Sequence, residues 1–316
     1  MTISIDEIRD AARTLRPSIH RTPLVRSQSL SALAGTPLHL KAESLQRTGS
    51  FKARGVLNAV LALSPEERAR GIFTFSAGNT GLALAYAGRT LGIPATVMVP
   101  ETAPRAKIDA IDAYGARIVA VPGAELMQRA AALPAEEGLT VIHPWENRAL
   151  IAGHGTIGLE ILEDLPDVAT VVVPVGGGGL IAGIASALKA IRPEVRVVGV
   201  EPEGSQSVGQ SLAAGEPVHI TPVSIADGLN APSTAPTPLA IIAHLVDEIV
   251  TVPEESIASA LALIIQRTKL LSEPSGAVAT AALLSGAVQP AGPTVAILSG
   301  ANVDLHRLSG LVGASG

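Results

Sequence analysis

The stretch from residue 170 to residue 191 constrains the fold more than any other part of the chain. It begins with an almost uninterrupted apolar run, residues 170–175, continues through four consecutive glycines, and ends in a helical pattern over residues 180–191. A strand that is apolar on both sides is typical of a parallel sheet whose two faces are covered by helices. The stretch therefore predicts an α/β protein built on a parallel sheet.

The same alternation of short strands and helices continues over most of the chain. Helical patterns separate most of the predicted strands, and strands separated in this way usually pair in parallel. Further strands are predicted at residues 36–42, 72–75, 95–100, 116–121, 140–142, 195–200, 248–252 and 294–298.

Weak shifts in composition near residues 64 and 143 predict two lobes. A small lobe, residues 64–142, is expected to be inserted into a large lobe formed by residues 1–63 and 143–316. A chain of 316 residues is long enough for two such lobes, each with its own apolar core.

The composition excludes several classes of function. The chain has no cysteine, which rules out disulfides, thiol catalysis and cysteine-based metal sites. Aromatic residues contribute only 2% and the net charge is −5, and both values argue against nucleic-acid binding. The first ten residues carry acids and no apolar core, unlike a signal peptide, and no apolar run is long enough to cross a membrane. We expect a cytoplasmic protein.

Lys52 lies in a polar, glycine-punctuated turn, residues 48–55, that leads into an apolar helical pattern. This spacing places the lysine near a helix N-terminus, where the positive end of the helix disfavours a second cation. A partly desolvated lysine in that position loses its proton more easily and can act as an amine nucleophile. The alternative interpretation is a solvated lysine in the first helical turn.

The four consecutive glycines directly follow a buried strand and precede a helix. This arrangement lets the backbone approach an anion closely, with unpaired N–H groups supplied by the helix N-terminus. A dinucleotide is one candidate anion, because Gly177, Gly179 and Ala182 fit a G-x-G-x-x-A pattern and Glu201 ends the next strand. That interpretation predicts a nicotinamide-dependent oxidoreductase. The glycines are Gly176, Gly177, Gly178 and Gly179.

The phosphate of pyridoxal phosphate is the second candidate anion. This interpretation also gives Lys52 a role, as the amine that binds the cofactor aldehyde. It gives a role to a third stretch, a turn that opens a helix and offers N–H groups and hydroxyls to a substrate carboxylate. The residues of this substrate segment are Ser76, Ala77, Gly78, Asn79 and Thr80.

Together these motifs resemble the threonine/serine dehydratase and serine racemase family of fold-type II pyridoxal phosphate enzymes. The resemblance extends over nearly the whole chain and implies a two-lobed fold similar to the tryptophan synthase β chain. The segments that carry it are residues 21–24, 41–55, 76–79, 174–180, 226–229, 272–276 and 298–304.

The resemblance implies a role for each of these segments. Lys52 stands at the Schiff-base position, Asn79 at the position that hydrogen-bonds the 3′ oxygen of the cofactor, and Ser299 at the position that meets the pyridine nitrogen. The four glycines correspond to the phosphate loop. Other residues implied to line the cofactor are Phe51, Leu180, Gly228 and Glu273.

The implied activity is that of an ammonia-lyase that eliminates water from L-threonine or L-serine, giving a 2-oxo acid and ammonia. The neutral Ser299 leaves the carbanion less delocalised than a carboxylate partner would, which favours elimination. Serine racemase and hydroxyaspartate dehydratase are the alternatives. Racemases of the family have a serine where Ala77 stands, and alanine has no proton to give.

The resemblance also implies a homodimer and a divalent cation, Mg²⁺ or Ca²⁺, bound near Glu201. Ser207 stands where family members have a second carboxylate, so we expect a weak site or none. Only twelve residues follow Asp304, and a C-terminal regulatory domain is therefore not expected. Trp145, the one tryptophan, is expected in the core or at the lobe junction, with a wall of the substrate site as the alternative.

Overall fold

The computed structural model describes residues 2–313 and places their strands in two sheets. The strands are β1 Leu24–Arg26, β2 Leu38–Ala42, β3 Ile72–Phe75, β4 Ala95–Pro100, β5 Arg117–Val121, β6 Thr140–Val141, β7 Thr170–Pro174, β8 Arg196–Pro202, β9 Glu248–Val252 and β10 Thr294–Leu298. One sheet has six strands in the order β1-β2-β10-β7-β8-β9, and the other has four in the order β5-β4-β3-β6.

The strands are connected mainly by helices. These are α1 Ile5–Leu15, α2 Gln28–Ala34, α3 Lys52–Leu61, α4 Pro65–Ala69, α5 Asn79–Leu91, α6 Arg105–Asp112, α7 Leu126–Glu137, α8 Arg148–Asp164, α9 Gly179–Ile191, α10 Ser207–Ala214, α11 Pro236–Leu245, α12 Glu254–Thr268, α13 Pro274–Leu284 and α14 Leu305–Gly313. Within residues 2–313, no helix is both long and apolar enough to span a membrane.

Both sheets are parallel apart from one pair of strands. Only β1 runs antiparallel to its neighbour, β2, at the edge of the six-stranded sheet. β7 pairs with β10 and β8, and all five of its residues are buried, as expected for a strand covered on both faces. The prediction of an α/β fold with parallel sheets is confirmed.

The two sheets take their strands from different parts of the chain. The four-stranded sheet uses residues 72–141, and the six-stranded sheet uses residues 24–42 and 170–298. This distribution agrees with one α/β unit inserted into another. The exact lobe boundaries, at residues 64 and 143, stay a prediction.

Helix α8 is longer than the sequence pattern indicated. The sequence pattern predicts a helix over residues 155–162, whereas the helix begins at Arg148, where the Asn147 side chain accepts a hydrogen bond from Leu150 N at 2.9 Å. Glycine has a low helix propensity, so Gly153 makes the first turns of α8 difficult to recognise from the sequence. In the structure Gly153 is needed for packing, since a Cβ there would lie 2.7 Å from the carbonyl oxygen of Arg54 on α3.

Candidate active site

Lys52 is the first residue of α3 and faces a cavity between the two sheets. Its Nζ atom donates a hydrogen bond to the carbonyl oxygen of Pro144 at 2.7 Å and lies 5.2 Å from the centre of the Phe51 ring. Burial lowers the pKa of Lys52 from its ordinary value to about 8. About a tenth of this amine is therefore neutral and nucleophilic at pH 7.

The backbone before Lys52 is paired with the segment that follows β10. Phe51 N donates to the carbonyl oxygen of Ser299 at 3.0 Å, and Ala301 N donates to that of Gly49 at 2.9 Å. Gly49 has a φ of +69°, and a Cβ there would lie 2.6 Å from Oδ1 of Asn302. This pairing brings Ser299 next to the start of α3, although the two are far apart in the sequence.

The four-glycine loop connects β7 to α9. The N–H groups of Gly176, Gly177 and Gly178 have no hydrogen-bond acceptor among residues 2–313. Gly178 has a φ of +89°, a conformation that favours glycine, and a Cβ on Gly177 would lie 2.4 Å from the Trp145 ring. Unpaired N–H groups at the positive end of a helix suit a phosphate group.

The substrate segment, residues 76–80, connects β3 to α5 at the other side of the cavity. Gly78 N donates to Ser76 Oγ at 3.1 Å, which closes the turn. The helix begins at Asn79, so its first N–H groups lie within the segment. These groups can bind a carboxylate.

Asn79 is hydrogen-bonded on both ends of its amide. Its Nδ2 donates to Glu273 Oε1 at 2.7 Å, and its Oδ1 accepts from Asn302 Nδ2, also at 2.7 Å. Asn302 Nδ2 donates in addition to the carbonyl oxygen of Thr48 at 2.7 Å. Burial raises the pKa of Glu273 to about 7, although the hydrogen bond from Asn79 opposes this shift. Asn79 therefore connects the four-stranded side of the cavity to the six-stranded side.

Ser299 is buried and carries a neutral hydroxyl, whose Oγ lies 3.5 Å from the carbonyl oxygen of Ser275. It follows the last residue of β10, so it lies at the carboxyl end of a central strand of the six-stranded sheet. Ligands of open α/β sheets bind at such strand ends. The hydroxyl can donate a hydrogen bond to a ligand nitrogen or accept one from it, but it cannot supply a negative charge.

The cavity has a volume of about 660 Å³ and brings together every predicted site residue except Glu201. These residues are Phe51, Lys52, Ser76, Ala77, Gly78, Asn79, Thr80, Gly176, Gly177, Gly178, Gly179, Leu180, Gly228, Glu273 and Ser299. Further lining residues that the sequence reasoning did not assign to the site include Pro144, Asn302, Lys107, Asp227 and Arg307. Asn302 and Asp227 each lie within one of the quoted motifs, residues 298–304 and 226–229, whereas Lys107 and Arg307 carry no local signal. Trp145 also lines the cavity, which agrees with its alternative interpretation.

Glu201 is fully buried and lies on β8, outside the cavity lining. Its Oε1 accepts from Val208 N and its Oε2 from Gly209 N, both at 2.8 Å, at the start of α10. Burial raises its pKa to about 7, and the two hydrogen bonds oppose that shift. Among residues 2–313, no group of three histidine, aspartate or glutamate side chains is placed to hold a metal ion. The divalent cation at Glu201 stays a prediction.

A buried ion cluster lies on the side of α3 that faces away from Lys52. Arg54 is about 200° around the helix from Lys52 and is fully buried. Its guanidinium donates to both oxygens of Glu43, at 2.8 and 2.9 Å, and to both oxygens of Glu160, at 2.7 and 2.9 Å. The Nζ atom of Lys41 also donates to Glu160, at 2.6 Å. The cluster ties α3 to the end of β2 and to α8.

Burial disfavours the charged forms of Arg54 and Glu160, but their contacts within the cluster have the larger effect on both pKa values. Burial alone would lower the pKa of Arg54, whereas Glu43 and Glu160 raise it above its ordinary value. Burial alone would raise the pKa of Glu160, whereas Arg54 and Lys41 lower it. Arg54 and Glu160 therefore stay ionised, and each of them depends on its partners in the cluster.

The donor set of the cavity fits pyridoxal phosphate. An amine of lowered pKa suits its aldehyde, unpaired N–H groups suit its phosphate, and a neutral hydroxyl suits its ring nitrogen. The fold and this site together define an α/β enzyme that binds such a cofactor between two parallel sheets.

Comparison with known proteins gives the family. The pyridoxal-phosphate dependent enzyme family matches residues 15–300, and the chain belongs to this family. Pyridoxal phosphate is accordingly its cofactor, and the nicotinamide alternative is not supported.

Individual relatives cover nearly all of the chain. The L-threonine ammonia-lyase of Geobacter sulfurreducens is 43% identical over 309 residues, which is 96% of this chain and 77% of the relative. A catabolic L-threonine dehydratase of Staphylococcus aureus is 41% identical over 321 residues, covering 98% of this chain and 92% of that one. The structure of maize serine racemase matches with a TM-score of 0.93 at 35% identity, covering 99% of this chain and 98% of that one.

Proposed function

We propose that the chain is a threonine/serine dehydratase, which eliminates water from L-threonine or L-serine and releases a 2-oxo acid and ammonia. One observation carries this proposal: a lysine of lowered pKa, an N–H-rich glycine loop and a carboxylate-binding turn line the same cavity. The similarity to L-threonine ammonia-lyases and dehydratases over almost the whole chain supports it.

Lys52 has two tasks in this proposal. Bound pyridoxal phosphate supplies an aldehyde that bonds to amines and a ring that withdraws electrons from the substrate α-carbon. Lys52 would hold the cofactor through Nζ, and its Nζ in the neutral form is the base that would accept the α-proton of the substrate. A pKa of about 8 suits this exchange, because the amine can both lose and regain a proton near neutral pH.

Three other groups would hold the cofactor. The N–H groups of residues 176–179 bind its phosphate at the start of α9. Ser299 would meet its ring nitrogen with a neutral hydroxyl, and Asn79, which Glu273 and Asn302 hold in place, would bond its ring oxygen. Because Ser299 supplies no negative charge, the ring nitrogen would draw fewer electrons from the substrate than it would beside a carboxylate, and this favours loss of the β-hydroxyl.

The substrate segment would bind the carboxylate of the amino acid. Its N–H groups at the start of α5 and the hydroxyls of Ser76 and Thr80 are the available donors. Ala77 lies in the same wall of the cavity and offers only a methyl group. No proton donor stands at this position, which supports elimination over racemisation.

The proposal extends to assembly and location. We infer a homodimer that uses free amino acids as its substrates. We also infer a cytoplasmic location, with which the absence of cysteine agrees. Sedimentation of the purified holoenzyme measures the oligomeric state directly.

A panel of hydroxy amino acids tests the function. With L-threonine and L-serine, the holoenzyme is expected to release a 2-oxo acid and ammonia in equal amounts, with D-serine formation at least about 10-fold slower. Coupled assays of the oxo acid and chiral chromatography measure the two outcomes. Faster formation of D-serine than of pyruvate from L-serine would favour a racemase, and a preference for hydroxyaspartate would favour the dehydratase of acidic substrates.

Cofactor uptake is expected to depend on pH through Lys52. The neutral amine is the reactive form, so the uptake rate of pyridoxal phosphate by the apoprotein should rise about tenfold per pH unit below the lysine pKa. The rate should level off near pH 8, since burial lowers the pKa of Lys52 to about 8. Stopped-flow absorbance measures it. A rate that still climbs steeply up to pH 10 would show an ordinary lysine instead.

A further inference from the structure

Asp227, which lines the cavity, pairs with two basic side chains from different parts of the chain. Its Oδ2 accepts a hydrogen bond from Lys107 Nζ and another from Arg307 Nη1, both at 3.0 Å. Lys107 lies on α6 and Arg307 on α14, and both also line the cavity. We call these three residues the rim cluster. None of them has a role in the cofactor or substrate contacts described above.

The rim cluster connects the two sheets across the cavity. Asp227 lies between β8 and β9 of the six-stranded sheet, whereas α6 connects β4 to β5 of the four-stranded sheet. Helix α6 packs against α5, because a Cβ at Gly81 would lie 3.3 Å from Cδ1 of Ile111. Residues 76–80 lead into α5, so a contact that holds α6 also fixes the distance from this segment to Lys52.

The amide of Asn79 provides a separate connection between the same two sides. Its hydrogen bonds to Glu273 and Asn302 do not involve any residue of the rim cluster. They can therefore persist when the rim cluster is broken. Without the cluster, the distance between the two sheets should vary more, but the Asn79 hydrogen bonds should still hold the substrate segment at the cavity.

The rim cluster is charged and partly exposed to solvent. The side chains of Lys107, Asp227 and Arg307 are 29%, 36% and 42% exposed. Burial favours the neutral form of Asp227, but the two cations lower its pKa below the ordinary value and keep it ionised. Ion pairs with this exposure are weakened by salt. The strength of the connection should therefore depend on ionic strength.

We propose that Lys107, Asp227 and Arg307 are positioning residues that hold the substrate segment at its working distance from Lys52. This inference rests on the proposed function, in which that segment binds the substrate carboxylate. When the cluster is broken, only a fraction of the molecules holds the working arrangement. The apparent KM then rises by the inverse of that fraction, whereas kcat at saturation changes little.

Steady-state kinetics of three variants with L-threonine test the inference. Lys107→Ala is expected to raise KM about five- to twentyfold and to leave kcat within about twofold of the wild-type value. Lys107→Arg keeps the cation and is expected to restore most of the affinity. Arg105→Ala is the matched control, because Arg105 lies on the same helix and pairs with Asp109 on the surface. Both of its constants should equal those of the wild type.

The response to salt gives a second signature. Raising the salt concentration from about 0.05 M to about 0.5 M should raise the KM of the wild type and of Arg105→Ala, but not that of Lys107→Ala. The inference is overturned if the KM of Lys107→Ala stays within about twofold of the wild-type value. It is also overturned if kcat falls while KM stays constant.

Hydrogen exchange separates this inference from the proposed function, because it requires no turnover. Amides of α6 should exchange faster in the Lys107→Ala holoenzyme than in the wild type or in Arg105→Ala. If the wild type converts none of the hydroxy amino acids, the proposed function is wrong. The exchange rates alone then decide whether the rim cluster holds α6 in place. Equal exchange in all three proteins would then overturn the role of the rim cluster.

Discussion

Lys52→Ala is expected to lose dehydratase activity and the visible absorbance of bound cofactor together. The variant lacks both the covalent attachment of the cofactor and the base that accepts the α-proton. Removal of a general base alone lowers turnover by about 10²–10⁴-fold, and loss of the attachment should take the activity below detection. Absorbance spectra and 2-oxo acid release from L-threonine measure the two effects.

The control for this variant is Lys189→Ala. Lys189 pairs with Asp247 and does not line the cavity, so its removal should leave colour and turnover unchanged. Borohydride reduction of the wild type, followed by peptide mapping, should place the pyridoxyl group on Lys52. A Lys52→Ala protein that stays yellow and active would contradict the assignment of Lys52.

Arg54→Met is expected to destabilise the folded protein by about 3–5 kcal/mol, the usual effect of removing one partner from a buried ion cluster. Methionine fills much of the same space, but Glu43 and Glu160 would lose their shared cation while still buried. Urea denaturation of the apoprotein, followed by fluorescence of the single tryptophan, measures the change in the free energy of unfolding.

Arg54→Lys gives a graded comparison for the same site. Lysine keeps the positive charge but cannot donate to two carboxylates at once as the planar guanidinium does. We expect a loss of stability between those of the wild type and Arg54→Met. Arg54→Met with a denaturation midpoint equal to that of the wild type would show that the cluster adds nothing to the stability.

The sequence allowed the central part of the site to be predicted because its signals are local. The four glycines stand between a buried strand and a helix, and Lys52 stands at a helix start, so each carries its context within about ten residues. Parallel sheets align the carboxyl ends of their strands, which explains why the segments after β3, β7 and β10 meet.

Contacts between distant segments could not be predicted in the same way. Asn302 is held against Thr48 and Asn79, and Lys107 against Asp227, across separations of more than one hundred residues. Neither hydrophobic periodicity nor motif spacing indicates which residues so far apart in the sequence will form contacts. The strand β1 and the helices α2 and α14 were also not predicted, since short elements carry little pattern.

The division of the site between the two sheets has a consequence for how such an enzyme can acquire new substrates. The amine is anchored through the six-stranded side, whereas the substrate segment belongs to the four-stranded side. Laboratory selection for new amino-acid preferences can therefore be confined to a library of cavity-lining positions on that side other than Asn79, such as Ser76, Ala77 and Leu82. Clones from that library should remain coloured and stable while their substrate profiles diverge, which makes colour a convenient first screen.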